Sequence, residues 1–201
     1  MHISDGVLSL EVATVSSVVA CGFFIYSFKN LTSEKIPLSA ALSALFFIAS
    51  FIHIPFGVTQ IHLMLVGFIG IFLGSLTIFS ISLALILQAL LLGYGGISSI
   101  GANILIMAVA SYLVFLLFKF DFLKKINEKI RFFLVGFMGV FISSMILFLL
   151  LIFSKQEYEK VAYSILLINI PTMFLEGLIT LFLFLYIKKV MPNLLQGTNI
   201  C

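Results

Sequence analysis

Charged residues are scarce in this sequence. Lys, Arg, Asp and Glu together make up 9 % of its 201 residues, against about 25 % in soluble globular proteins. Hydrophobic residues make up 62 %, so the chain lacks the polar side chains needed to cover a globule. This composition excludes a soluble enzyme and a disordered regulator, and it predicts an integral membrane protein.

Cysteine, tryptophan and several catalytic motifs are also scarce or absent. The two cysteines, Cys21 and Cys201, are too few for a disulfide framework, and there is no Trp. The phosphate-cradling motif G-x-x-x-x-G-K-S/T does not occur, nor do H-E-x-x-H and G-x-S-x-G. We therefore expect no ATPase site on this chain, no enzymatic activity, no organic cofactor and no nucleic-acid partner.

What the sequence has is long apolar runs, which predict an all-α membrane protein with seven transmembrane helices in one domain, residues 1–201. A span takes about 20 apolar residues. The run 62–92 would form a helix of about 46 Å, too long for a hydrocarbon core of about 30 Å, so we divide it near Gly74 and Ser75. The other predicted spans are about 7–28, 37–51, 101–118, 132–153 and 161–187.

The basic residues orient these seven spans. With the N-terminus outside, nine of the eleven Lys and Arg residues lie in cytoplasmic loops, and only Lys155 and Lys160 lie outside. Cytoplasmic loops of membrane proteins carry such an excess of positive charge. The pattern therefore favours seven spans with an outer N-terminus.

All three histidines, His2, His53 and His62, lie at the outer surface in this orientation. A single histidine there is typical of contact with lipid headgroups. His2 has a further possibility, because a free α-amine on Met1, the backbone nitrogen of His2 and its imidazole can chelate one ion. We expect Met1 to be retained, since the N-terminus does not resemble a cleavable signal peptide.

The ion that such a chelate favours follows from its donors. Square-planar nitrogen fields are typical of Ni(II) and Cu(II), and four nitrogens without a thiolate disfavour zinc. The fourth nitrogen could come from His62 or from His53. Metal affinity should fall with acid, because the donors must be deprotonated.

Four motifs in order give the chain a family resemblance. It resembles the CbiM/NikM family, the substrate-binding membrane components of cobalt and nickel energy-coupling factor (ECF) transporters, which are ABC importers. The resemblance rests on Met1-His2-Ile3-Ser4-Asp5-Gly6, on Gly57-Val58-Thr59-Gln60-Ile61-His62-Leu63, on Gln88-Ala89-Leu90-Leu91-Leu92-Gly93-Tyr94-Gly95-Gly96 with Gly101-Ala102-Asn103, and on Glu176-Gly177-Leu178-Ile179-Thr180.

The resemblance implies an extra N-terminal helix on a six-helix core, in a prokaryotic inner membrane. It implies that Ni(II) or Co(II) is the transported substrate, held by the Met1 amine, the backbone and side chain of His2, and a histidine matching His62. Its implied partners are a transmembrane coupling protein and ATPase subunits, with a small additional membrane component as a further candidate. Tyr94 and Asn169 depart from the family pattern, where an acid and a histidine are expected.

Several further residues are candidates for a supporting role. Asp5 is expected to cap the first helix or to order the N-terminal peptide. His53 and Asn103 are candidates for orienting the ligands or for serving as alternative ligands. For Glu176, orientation of the histidines and a simple hydrogen bond between helices both stay open.

Small residues on the second span permit close approach of another helix. Ala40 and Ala44 could pack against the protein's own bundle. They also resemble the A-x-x-x-A pattern with which ECF substrate components dock the coupling protein.

Two other functions compete with import of a metal by an ECF complex. A self-sufficient channel or ion-coupled metal carrier would need no partner, but the spans hold only Glu11 and Glu176 for a proton relay. A membrane haem protein would want histidine pairs on facing helices, which this sequence does not have.

Overall fold

The structure, a computed structural model, describes residues 2–56, 59–195 and 198, and for residues 53–56, 59–61 and 156 it describes the main chain alone. It is helical apart from one short hairpin. The helices are α1 Leu10–Phe28, α2 Ile36–Ala49, α3 Val66–Leu73, α4 Thr77–Leu92, α5 Ile100–Ile104, α6 Ala110–Leu117, α7 Asp121–Lys124, α8 Glu128–Ser154 and α9 Glu159–Val190. Short 3-10 turns cover Ser33–Lys35, Gly74–Leu76, Gln156–Tyr158 and Pro192–Leu194, and a π-helical turn, Leu105–Val109, joins α5 to α6.

The hairpin pairs strand β1, His53–Phe56, with strand β2, Thr59–His62, in antiparallel register. His53 lies opposite His62 across the two strands. The predicted spans leave this segment as a loop, and the structure shows a hairpin instead. Pro55 disfavours continuation of helix α2 into this segment, because proline has no amide hydrogen to donate.

Five helical stretches are long and apolar enough to cross a membrane, within the part of the chain that the structure describes. They are Leu10–Phe28, Val66–Leu92, Ile100–Leu117, Glu128–Ser154 and Glu159–Val190. The predicted second span is helix α2, which has 14 residues and is therefore only about 21 Å long. The structure thus confirms a helical, multi-spanning chain, while the count of seven passes stays a prediction.

The stretch 66–92 is broken at Gly74, as the sequence predicted. Gly74 has φ +56, a left-handed backbone that glycine adopts without steric cost. On one side of the break, the Ser27 hydroxyl donates to the Ser75 carbonyl (2.7 Å) and accepts from the Phe79 amide (2.9 Å). The chain turns back on itself here, because His62 before the break and Tyr94 after it both lie beside His2.

The two ends of the bundle are defined by contacts between distant parts of the chain. At the histidine end (His2, His62, Tyr94 and Ser154), the Ser9 amide donates to the hydroxyl of Ser154, the last residue of α8 (2.6 Å). At the opposite, lysine end (Ser27, Ser75, Glu128 and Lys188), the ammonium of Lys188 binds the carboxylate of Glu128 (2.7 Å). Helix α8 joins the two ends over about 40 Å.

Helix α3 lies at the centre of the bundle. Seven of its eight residues are buried, and it packs against α6 and α8. Close approach depends on glycine: a Cβ at Gly67 would overlap the Val135 carbonyl of α8, and one at Gly70 would overlap the Ser111 carbonyl of α6. Helix α1, by contrast, is peripheral and exposes Leu10, Val15 and Val18.

Replacing Gly67 with alanine should therefore destabilise the bundle. The added methyl group has no space against Val135, and overpacking of this kind costs about 1–3 kcal/mol. The matched control is Gly22→Ala in α1, where a Cβ meets nothing within 4 Å. Thermal unfolding in detergent should show a lower midpoint for Gly67→Ala than for Gly22→Ala, and equal midpoints would contradict the packing of α3.

Candidate metal centre

The N-terminal segment, residues 2–5, enters the histidine end of the bundle and is fixed there by Asn103. The Ile3 amide donates to the Asn103 side-chain oxygen (2.8 Å), and the Asn103 side-chain nitrogen donates to the Ile3 carbonyl (3.0 Å). Ile3 and Asn103 are both buried. The asparagine amide thus pairs with a main-chain unit of an extended segment that has no strand partner of its own among the described residues.

Asp5 anchors the same segment from its other side. Its carboxylate accepts from the Ser98 amide (2.9 Å), the Ser98 hydroxyl (2.6 Å) and the Ser99 amide (3.2 Å). These bonds lower the pKa of Asp5, the hydrogen bond from the Ser98 hydroxyl most of all. Asp5 therefore orders the N-terminal peptide, and the cap of α1 is instead Ser9.

Gly96 makes room for this carboxylate. It has φ +74, and a Cβ on it would overlap the carboxylate of Asp5. Its neighbour Gly95, at φ +79, has the same relation to the side-chain nitrogen of Asn103. Only glycine combines a positive φ with the absence of a Cβ. The structure therefore explains Gly95-Gly96 without reference to any ligand.

These anchors place His2 beside His62. The two imidazole rings stack with centroids 5.4 Å apart and an interplanar angle of 19°. Tyr94 covers another side of His2, with ring centroids 5.9 Å apart. Within the described residues, Nδ1 of His2 is buried and has no hydrogen-bond partner.

His2 is held as a neutral imidazole. Burial above all lowers the pKa of His2 to about 3, because a charged ring loses hydration there. At neutral pH the ring therefore carries a nitrogen lone pair, which is the form that binds metal ions.

The segment that carries His62 is fixed along its main chain. The Leu63 amide donates to the Ile52 carbonyl (3.2 Å). The amides of Met64 and Leu65 both donate to the carboxylate of Glu176 in the middle of α9. Leu65 has φ 53, a left-handed conformation that is a genuine outlier for a bulky residue.

The described part of the chain contains no group of three or more His, Cys, Asp or Glu side chains that could together hold a metal ion. Two imidazoles meet, and the nearby acids bind main-chain groups. The Met1 residue and the His53 side chain, both predicted site candidates, lie outside the described residues, so their roles as ligands stay predictions.

Comparison with known proteins identifies the family. The family described as "Cobalt uptake substrate-specific transmembrane region", CbiM, matches residues 2–194. The chain belongs to the CbiM family. This confirms the resemblance drawn from the four motifs, and it makes the chain a multi-pass membrane component within a family of metal transporters.

Individual relatives of this CbiM-family chain agree. A Haemophilus influenzae protein whose name provisionally assigns it to metal transport is 29 % identical over 99 % of this chain and 98 % of its own length. The fused nickel transport protein NikMN of Rhodobacter capsulatus is 34 % identical over 57 % of this chain and 35 % of its own. A crystal structure of a transition metal transporter superposes with a TM-score of 0.80 and 25 % identity, covering 94 % of this chain and 93 % of the other.

The sequence of this CbiM-family protein leaves two roles open for Glu176, orientation of the histidines and a simple hydrogen bond between helices. Its signal was present, since a lone acid in the middle of a long apolar helix is costly and marks a specific partner. That the partner would be the main chain next to His62 could not be read from the sequence, because 112 positions separate Met64 from Glu176.

Asn103→Ala should weaken binding of Ni(II) by about tenfold or more, in the range typical for residues that orient a metal ligand. The substitution removes both hydrogen bonds that fix Ile3, and so frees the peptide that bears His2. The control is Gln88→Ala, which also removes a buried amide but one that bonds the Ser50 hydroxyl (3.0 Å). Titration of the purified variants with Ni(II) should separate the two, and equal affinities would contradict the role of Asn103.

Proposed function

We propose that this chain is the substrate-binding membrane component of an ECF-type importer for Ni(II) or Co(II). The metal would be held by the Met1 amine, the His2 backbone nitrogen, the His2 imidazole and the His62 imidazole. The observation that carries this proposal is the stacking of His2 on His62, with Nδ1 of His2 buried and without a hydrogen-bond partner in the described part of the chain.

The free nitrogen of His2 is the one that such a chelate needs. An ion bound to the α-amine and to the next backbone nitrogen closes a second, fused ring only through Nδ1 of the imidazole. Nε2 points away along the ring and cannot reach. A buried ring nitrogen without a partner costs free energy, and a bound metal ion would remove that cost.

Nickel is the preferred cargo in this proposal, with cobalt second. Four nitrogens in one plane match the geometry of Ni(II). The stacked imidazole of His62 and the ring of Tyr94 both lie close to His2. The CbiM family is described by cobalt uptake and one relative by nickel transport, so both ions remain candidates for the binding experiment.

The proposed arrangement has seven passes, with the N-terminus and the histidine end facing outward. It is supported by the turn at Gly74 and by the position of the basic residues. Lys188 lies at the end of the bundle opposite His2, and most other basic residues fall in the loops that share its side. The positive-inside rule assigns that end to the cytoplasm.

The proposed partners are a transmembrane coupling protein and ATPase subunits, since the sequence carries no phosphate-binding loop. Ser39 and Ser43 of α2 bond to Ser80 of α4 (2.5 and 2.9 Å), so they serve the protein's own bundle. Ala40 and Ala44 are exposed and line an apolar groove of about 610 Å³. Small exposed residues beside an apolar groove suit the close approach of a partner helix from the coupling protein.

His62→Ala should abolish tight binding of Ni(II) to the purified full-length chain. Loss of a metal ligand should exceed the roughly 10- to 100-fold effect of losing a residue that only orients one. His53→Ala is the matched control, because His53 lies opposite His62 across the hairpin. Isothermal titration with Ni(II) and Co(II) measures both variants and the preferred ion.

The opposite result, with affinity lost in His53→Ala and kept in His62→Ala, would overturn the ligand assignment. A channel or ion-coupled carrier makes a different prediction. Liposomes that contain this chain alone should take up no Ni(II) under the proposal, and uptake without ATPase partners would favour the carrier.

A further inference from the structure

Glu176 stands apart from every other acidic residue of the protein. The chain has eight Asp and Glu residues, all of them described, and Glu176 alone is buried, with 1 % of its surface exposed. A carboxyl group in the interior of a membrane bundle is costly unless its oxygens are satisfied. The groups that bind its carboxylate oxygens therefore indicate the role of Glu176.

Those partners are main-chain groups next to a proposed metal ligand. One carboxylate oxygen, Oε1, accepts from the amides of both Met64 and Leu65, and the other, Oε2, accepts from the Leu65 amide (3.1 Å). Met64 follows His62 by two residues. Glu176 therefore holds the main chain that directly follows His62.

We propose that Glu176 is a positioning residue of the metal centre, which fixes segment 62–65 so that the imidazole of His62 lies beside that of His2. The proposal rests on the function proposed above and adds a residue to it. It assigns the buried carboxylate a role in metal affinity, besides its role in joining α9 to the rest of the bundle.

The local backbone explains why an anion suits this place. Met64 and Leu65 precede helix α3, and Leu65 is its N-cap in the left-handed conformation. Successive amides that converge in this way form a concavity for an anion, and the N-terminus of α3 adds a favourable dipole. Both residues are 2 % exposed, so water cannot replace the carboxylate.

The main chain is also fixed on both sides of Met64 and Leu65, the two residues that Glu176 binds. The Leu63 amide bonds to Ile52, and beyond Leu65 helix α3 packs closely on α8 through Gly67. On the side of α9, a Cβ at Gly136 of α8 would overlap the carbonyl of Glu176. Glu176 is therefore packed against α8, which also packs on α3. From this position its carboxylate determines where the main chain runs between the Ile52 contact and helix α3.

The test compares single and double substitutions by titration of the purified full-length chain with Ni(II). Glu176→Leu removes both acceptors at similar volume and should weaken binding by about tenfold or more. Glu176→Gln keeps an Oε1 that can accept from both amides and should restore most of the affinity. Thr180→Val, one turn further along α9 and also buried, is the matched control and should leave affinity unchanged.

A double substitution separates positioning from general destabilisation. If Glu176 acts through His62, the variant Glu176→Leu/His62→Ala should bind Ni(II) no more weakly than His62→Ala, because coupled residues are not additive. The visible absorption of bound Ni(II) should shift in Glu176→Leu in the same direction as in His62→Ala but by less, since Glu176→Leu misplaces the nitrogen that His62→Ala removes. Should Glu176→Leu fail to fold, Glu176→Asp, which withdraws the carboxylate by one methylene, should still weaken binding without changing the unfolding midpoint as much.

Three outcomes would overturn the inference. Wild-type affinity in Glu176→Leu would show that the carboxylate does not position His62. An effect that adds in full to that of His62→Ala would show that Glu176 acts elsewhere. No Ni(II) binding by the wild-type chain would overturn the proposed function and this inference together, which distinguishes it from the first two results.

Discussion

The proposed metal centre depends on the need to satisfy main-chain groups that no helix satisfies. Ile3 in the segment 2–5, and Met64 and Leu65 in the segment 62–65, are buried at the histidine end of the bundle. In a water-poor interior, each of their unpaired amides would cost several kcal/mol. Asn103 meets the first segment and Glu176 meets the second. The two imidazoles come together because their peptides are fixed in this way.

The need to pair main-chain groups also explains which partners the polar side chains of the bundle bind. Polar side chains on the helices bind main chain far more than they bind one another, as Asn103, Glu176 and Ser27 show. Nδ1 of His2, a proposed metal donor, has no hydrogen-bond partner within the described residues.

Much of this fold could be predicted from the sequence, because lipid permits few arrangements. Apolar length gave the helices, and the excess length of the run through Gly74 predicted the break there. His2 and His62 were selected because of their chemistry, and they do meet. Helix α2, Ile36–Ala49, agrees with the predicted second span of 37–51 to within two residues at each end.

What could not be predicted are the contacts between distant parts of the chain. Asp5 was an expected helix cap or an organiser of the N-terminal peptide, and only its contacts with Ser98 and Ser99 decide for the second role. Asn103 was a candidate for orienting the ligands or for serving as one, and the sequence did not indicate that it would bond to the main chain of Ile3. Periodicity reports which face of a helix is apolar, and it carries no information about which main-chain group a buried polar side chain will meet.

The most direct test of the proposed chelate moves the α-amine and leaves every side chain in place. Two forms of the chain would be released from matched fusion proteins by cleavage. One form begins at Met1, and the other carries a single glycine before Met1. We predict tight Ni(II) binding by the native form and its loss in the extended form, because the fused chelate rings require the amine of Met1. Equal binding by both forms would contradict the account and place the metal site elsewhere.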